Sequence, residues 1–76
     1  MPLDLVTFVL QNLVADPEHL EVTSTSDGRN VHIDITCAPE DVGRIIGRGG
    51  RVINAVRTLA RAAADGRQRV EVQLLE

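Results

Sequence analysis

Hydrophobic positions recur along this chain with two periods, and the switches between them lay out the elements. Leu3, Val6, Leu10 and Leu13 fall at helical spacing, with Val9 and Val14 widening the stripe, so the pattern predicts a helix over residues 3–15. Pro2 suits its first turn. The Asp16-Pro17 pair ends it, because the residue before a proline is pushed out of the helical region. Residues 20–25 read as a strand. Asp27-Gly28 then precedes Val31, Ile33, Ile35 and Cys37, which alternate with His32, Asp34 and Thr36. The two runs should close as an antiparallel hairpin with the apolar set facing the core.

Pro39 opens a short helix, with Glu40 and Asp41 in its first turn, where acids favour the dipole, and Val42, Ile45 and Ile46 on its inner side. Gly47-Arg48-Gly49-Gly50 interrupts the helical pattern. A second helix over residues 51–65 sets Val52, Ile53, Val56, Leu59, Ala60 and Ala63 on one face and Arg51, Asn54, Arg57, Thr58 and Arg61 on the other. Gly66 is the expected C-terminal cap, and Val70, Val72 and Leu74 alternate in a last strand. No repeat, linker or low-complexity segment breaks this order, so the 76 residues are expected to make one small α+β domain.

Composition narrows the function more than the fold. Phe8 is the only aromatic residue, so the core must be aliphatic and thin, which favours burial of further surface against a second copy or a protein partner. A single cysteine, Cys37, excludes an intrachain disulfide and makes the cytoplasm the natural compartment. At an inward strand position it reads as a small hydrophobe rather than a nucleophile. The first four residues lack a basic leader, and the apolar stretch after them is interrupted by Thr7, Gln11 and Asn12, so nothing is expected to enter a membrane.

Charge changes the picture further. The net charge is −3, yet residues 43–69 hold seven arginines against Asp65 alone, while the remainder sets Arg29 against ten acids. A basic segment on an acidic body suits local phosphate binding, because the field near a groove matters more than the isoelectric point. Lysine is absent, which excludes a Walker A loop and Schiff-base chemistry. A glycine-rich turn between two helices exposes backbone N–H groups and the positive end of a dipole. That is an anion site, with Arg48 at its tip, Arg44 and Arg51 beside it, and glycines that admit a sugar-phosphate backbone closely. An extended phosphodiester fits better than a mononucleotide, whose loop normally follows a strand. Arg57 and Arg61, four apart on the outer face, read as solvated surface. His32 and Asp34, even with His19, are too loosely placed for a metal site. No Ser-His-Asp set or carboxylate pair stands at catalytic spacing, so neither an enzyme nor a cofactor is expected.

The run Ile45-Ile46-Gly47-Arg48-Gly49-Gly50-Arg51-Val52-Ile53 resembles the signature of KH domains, an aliphatic residue, Gly-x-x-Gly and an aliphatic helix start. The element order resembles the bacterial type II arrangement, in which a helix and a strand precede the strand-helix-loop-helix-strand core. More narrowly, the N-terminal helix ending in Asp16-Pro17-Glu18, the lead-in Ala38-Pro39-Glu40-Asp41-Val42-Gly43-Arg44 and the run Ala55-Val56-Arg57-Thr58 resemble the stand-alone KhpA-type proteins. The loop departs from the usual pattern in carrying a second glycine, Gly49, in a variable place.

This resemblance covers residues 1–76 as a single type II KH domain (α-β-β-α-α-β), with the N-terminal helix and hairpin in residues 3–37 and the helix-loop-helix-strand segment in residues 38–76. It implies a three-stranded mixed sheet covered on one face by three helices. Single-stranded RNA would lie with its backbone against Gly47, Arg48, Gly49 and Gly50, and Arg51 and Arg44 would share the phosphates. Bases would rest on aliphatic residues, with Ile45, Ile46 and Ile53 the nearest, although one or two of these belong to the core, and polar edges would be read by the neighbouring strand. The implied role is an RNA chaperone or post-transcriptional regulator that forms a homodimer or a heteromer with a second KH protein of KhpB type. The rival reading is a protein-interaction module with little RNA binding of its own. The absence of Tyr and Trp disfavours RRM and cold-shock surfaces, which need stacking aromatics.

Overall fold

The computed structural model describes residues 2–64 and 66–75. Within them the chain forms helix α1 (Pro2–Leu13), strands β1 (Glu21–Asp27) and β2 (Asn30–Thr36), the short helix α2 (Val42–Ile46), helix α3 (Arg51–Ala63) and strand β3 (Arg69–Leu74). Single 3-10 turns at Pro17–His19 and Pro39–Asp41 lead into β1 and α2, each opened by a proline whose fixed φ suits a first helical position.

The sheet follows from the alternation. β1 and β2 pair antiparallel from Glu21↔Thr36 to Asp27↔Asn30, and β2 pairs parallel with β3 from Asn30↔Arg69 to Ile35↔Leu74. The strand order β1-β2-β3 leaves β3 at an edge. Gly28, at φ 60°, takes the first central place of the two-residue hairpin loop, where the turn type that matches strand twist needs a positive φ. Val31, Ile33 and Ile35 of β2, with Val70 and Val72 of β3, send their side chains to one face. There they meet Val6 and Leu10 of α1, Ile45 of α2, and Ile53, Val56 and Ala60 of α3. Leu10, Ile33, Ile35 and Ile45 have no exposed surface, and each such side chain contributes roughly 1.5–3 kcal/mol of burial.

Three expectations need correction. The stripe buried on α3 is narrower than the one predicted: Leu59 is 41% exposed, because it sits at the open seam between α1 and α3, in a shallow groove it lines with Leu5, Val9 and Val56. Ala64, extended at φ −82° and ψ 159°, ends α3 in place of Gly66, and Asp65, expected as its last residue, lies outside the described residues. Cys37, expected as a buried small hydrophobe facing the core, packs against it but is only half-buried.

The joint between the halves is Asp41. It has no exposed surface, and its Oδ1 and Oδ2 accept hydrogen bonds from the backbone N–H groups of Ala15 at 2.9 Å and Asp16 at 3.0 Å, just past α1. Buried carboxylates are tolerated only when hydrogen-bonded and paired. The pairing comes from Arg44, whose Nε lies 3.4 Å from Oδ1.

Candidate nucleic-acid interface

Between α2 and α3 the chain reverses in four residues, and three of them are glycines with positive φ: Gly47 at 74°, Gly49 at 64° and Gly50 at 81°. Side chains rarely adopt these angles. Gly47 is required twice over, since a Cβ there would stand 2.4 Å from Val52 Cγ2 and 2.8 Å from the Val52 nitrogen. A Cβ at Gly49 would meet nothing within 4 Å, so the tip is open space. The turn is closed by Gly47 N–H to the Gly43 carbonyl at 2.9 Å and Gly50 N–H to the Gly47 carbonyl at 3.2 Å. Gly50 is the N-cap of α3 and supplies no side-chain cap, so the first-turn N–H groups of α3 face the same side as the loop.

The structure brings Arg48 and Arg51 to the rim of this turn, both exposed, and no carboxylate among the described residues pairs with either. Arg44 is also exposed, but its charge is shared with Asp41. Of the expected aliphatic seats, Ile46 is half-buried, whereas Ile45 at 0% and Ile53 at 7% belong to the core. Ile53 therefore supports the floor from beneath rather than presenting a face to a base. Val52, packed under Gly47 and half-buried, takes its place at the surface.

The neighbouring strand, expected to read polar edges, is met by arginines that sequence reasoning left as solvated surface. The bonds from Arg69 N–H to the Arg29 carbonyl at 2.7 Å and from Leu75 N–H to the Ile35 carbonyl at 2.8 Å set the phase of the parallel ladder. By its alternation the backbone groups of Val70 and Val72 point outward along the sheet edge. Arg57, read as solvated surface, reaches this edge: its Nε donates to the Val72 carbonyl at 3.2 Å and its Nη1 to Asn54 Oδ1 at 3.0 Å. Arg61 Nε approaches the Val70 carbonyl at 3.5 Å, the outer limit of a hydrogen bond. A concavity of about 350 Å³ lies here, lined by Arg57, Arg61 and Val72 on one side and by His32, Asp34, Glu71 and Gln73 on the other. The side chain of Asn54 stands 3.6 Å from where a Cβ of Gly50 would lie, so Gly50, Asn54, Arg57 and Val72 form one polar path from loop to sheet.

The remaining chemistry-bearing residues lie apart. His19 pairs with Asp16 at 2.6 Å in the turn after α1, and His32 stands 3.4 Å from Glu71 on the open face of the sheet. No group of three His, Cys, Asp or Glu among the described residues could hold a metal ion. The Cys37 thiol is pushed up by burial and by the charges of Asp41 and Glu40, which keeps it protonated and unreactive. No helix among the described residues is long and apolar enough to cross a membrane.

A family model described as KhpA/KhpB, KH domain, matches residues 3–74. A protein named RNA-binding protein KhpA from Leifsonia xyli subsp. xyli is 41% identical over 71 residues, which span 93% of this chain and 92% of that one. Proteins of the same name from Caldanaerobacter subterraneus subsp. tengcongensis and Chlamydia caviae are 37% identical over 73 residues (95% and 97%) and 35% identical over 71 residues (93% and 90%), respectively. No solved structure matches the chain.

Proposed function

Because the chain belongs to the KhpA/KhpB family of KH domains, we propose that it binds a short stretch of single-stranded RNA with the sugar-phosphate backbone against residues 47–50. The observation that carries this reading is the loop itself: three glycines at positive φ, an α3 N-terminus without a side-chain cap, and exposed Arg48 and Arg51 on its rim. Backbone N–H groups and the α3 dipole attract a phosphate, and the arginines add mobile charge. Arg44 contributes less, being shared with Asp41. Ile46 and Val52 offer aliphatic seats to a base, and the outward edge of β3 offers polar groups to its rim. The relatives carry the name RNA-binding protein, which supports the ligand class. The role is binding rather than catalysis, exercised in the cytoplasm as an RNA chaperone or post-transcriptional regulator.

Fluorescence anisotropy with a labelled, mixed-sequence RNA dodecamer tests this. Salt-sensitive binding is expected, and Arg48→Asp should remove most of it. Affinity that survives the reversal moves the site elsewhere.

Phe8 favours a second role. The only aromatic residue of the chain is 66% exposed on α1, beside a seam between α1 and α3 lined by Leu5, Val9, Val56 and Leu59. A buried phenylalanine contributes 150–250 Å² of contact, which makes its exposure costly unless a partner covers it. We propose that this face forms a homodimer, or docks on a KH protein of KhpB type, leaving residues 47–50 open to RNA. Light scattering should then show Phe8→Ser dissociating the dimer while RNA binding by the single domain persists. A stable dimer without salt-sensitive RNA binding would instead make protein interaction the main function.

A further inference from the structure

We infer that Arg57 turns the outer edge of β3 into a surface that presents hydrogen-bond donors, so that the base seated there is guanine or cytosine in preference to adenine. This inference rests on the RNA-binding reading above and adds a base preference to it.

The backbone of an exposed strand edge offers donors and acceptors alternately, and so by itself suits any base. Here the alternation is broken. The Val72 carbonyl points outward, but the Arg57 guanidinium already takes one of its lone pairs through Nε at 3.2 Å and sets a positive charge beside the other. An amino group approaching the same oxygen would meet a positive charge on its path. The Arg61 Nε stands near the Val70 carbonyl, one step further along the edge, at the longer distance of 3.5 Å. What the edge still presents is the outward N–H groups of Val70 and Val72 and those N–H groups of Arg57 that neither Val72 nor Asn54 takes. The acceptors nearby do not restore the balance. Glu71, Gln73 and Asp34 line the far wall of the same concavity, but Glu71 and Gln73 sit on odd positions of β3, so their side chains leave from the open face of the sheet rather than from its edge, and Glu71 faces His32 at 3.4 Å.

Bases differ in what they can return to a row of donors. Guanine carries two neighbouring acceptors, O6 and N7, which an arginine engages together. Cytosine carries N3 beside O2. Adenine has no such pair on its polar edges, because N1 and N7 each flank the N6 amino group, a donor that would be left against donors. In uracil N3–H separates the two carbonyls. Arg57 is a positioning residue in this scheme, because it acts by closing the Val72 carbonyl as well as by its own contacts.

The test uses labelled uridine dodecamers whose two central positions are guanine, cytosine or adenine, measured by fluorescence anisotropy at one salt concentration. Guanine and cytosine should bind about five- to tenfold more tightly than adenine. Replacing guanine by 7-deazaguanine, which lacks N7, should bring its affinity to that of adenine. Arg57→Leu, checked for folding by circular dichroism, reopens the carbonyl and should collapse the guanine-to-adenine ratio towards one. A purely structural role for Arg57 would lower all three affinities and leave the ratio unchanged, which overturns the inference. Equal or tighter binding of the adenine oligomer by the parent chain also overturns it, while leaving RNA binding intact. Absence of salt-sensitive binding to all three overturns the RNA-binding reading and this inference together. Should Arg57→Leu fail to fold, the parent ratio and the 7-deazaguanine oligomer decide the matter alone.

Discussion

The N-terminal end of α2 is fastened by a buried carboxylate, and its C-terminal end is shaped by glycine backbone. At the first, Asp41 has no exposed surface and ties the start of α2 to residues that lie 25 and 26 positions earlier in the chain. At the second, a Cβ at Gly49 would meet nothing within 4 Å, and Arg48 and Arg51 stand beside it with no carboxylate partner among the described residues. Five residues separate a buried fastener from the loop proposed to hold an anion. On that reading fold and ligand binding should be alterable separately, except at Gly47, where a side chain would run into Val52 and the two requirements meet.

The largest effect should come from the fastened end. Asp41→Ala deprives the part-buried N–H groups of Ala15 and Asp16 of their acceptor, and a hydrogen bond to a charged group contributes about 1.5–3 kcal/mol, so a loss of about 2–4 kcal/mol is expected in urea unfolding. RNA affinity per folded molecule should stay within about twofold of the parent. A tenfold loss in the folded protein would break the comparison, because the two ends would then be coupled through α2.

Gly47→Ala sharpens it from the middle. The methyl group would enter Val52 and would sit at φ 74° and ψ 172°, a region essentially reserved for glycine, and overpacking and this backbone strain each cost about 1–2 kcal/mol. A total of about 2–4 kcal/mol is expected, together with weaker RNA binding, since the loop must move to admit the side chain. Stability lost without any change in affinity would remove the loop from the RNA path.

At the open end the effect should appear in binding alone. Arg48→Asp reverses an exposed charge with no ion-pair partner among the described residues, so the melting temperature should move by no more than a degree or two, while RNA affinity falls about tenfold or more. For the parent, neutralising about three phosphates gives a log-log salt slope near −2, and the variant should lose about 0.7 of that slope. Adding Gly49→Asp to this change would blur the test. Gly49 has φ 64°, so any side chain there adds strain to the charge effect.

Much of this contrast could be read from the chain, and the residues that escaped it share one feature. The glycine loop was legible because its signal is local: Gly47, Gly49 and Gly50 interrupt an otherwise helical pattern within four positions. The alternation of Val31, Ile33 and Ile35 was legible for the same reason and became the centre of the core. Asp41, by contrast, reads as an acid in a helical first turn, and only contacts across 25 residues make it a buried fastener. Arg57 reads as solvated surface until β3 returns beside α3 and offers the Val72 carbonyl. Leu59 and Ile53 were read onto one apolar face, yet Leu59 is exposed and Ile53 buried, because period alone does not say how wide a face the neighbouring elements will cover. Local patterns gave the elements, and the return of distant segments decided which polar groups were structural.

The smallest predicted effect is the finest test of the contrast, because it sets one methyl group against itself. Neither Gly43 nor Gly49 has any atom within 4 Å of where a Cβ would stand, so packing is indifferent at both. They differ in backbone. Gly43 lies inside α2, and it is not among the glycines with positive φ, whereas Gly49 stands at 64°. Gly43→Ala should therefore stabilise by about 0.5–1 kcal/mol, through the freedom that glycine loses on entering a helix. Gly49→Ala should destabilise by about 1–2 kcal/mol, through left-handed strain. Opposite signs in urea unfolding would show that conformation, and no hidden contact, shapes the open end of α2. Two losses would mean that α2 is already crowded at Gly43. Gly43→Ala carries a further readout, because Gly43 is exposed next to Arg44: if the variant is more stable yet binds RNA less tightly, the phosphate path extends back along α2 from the loop towards Asp41.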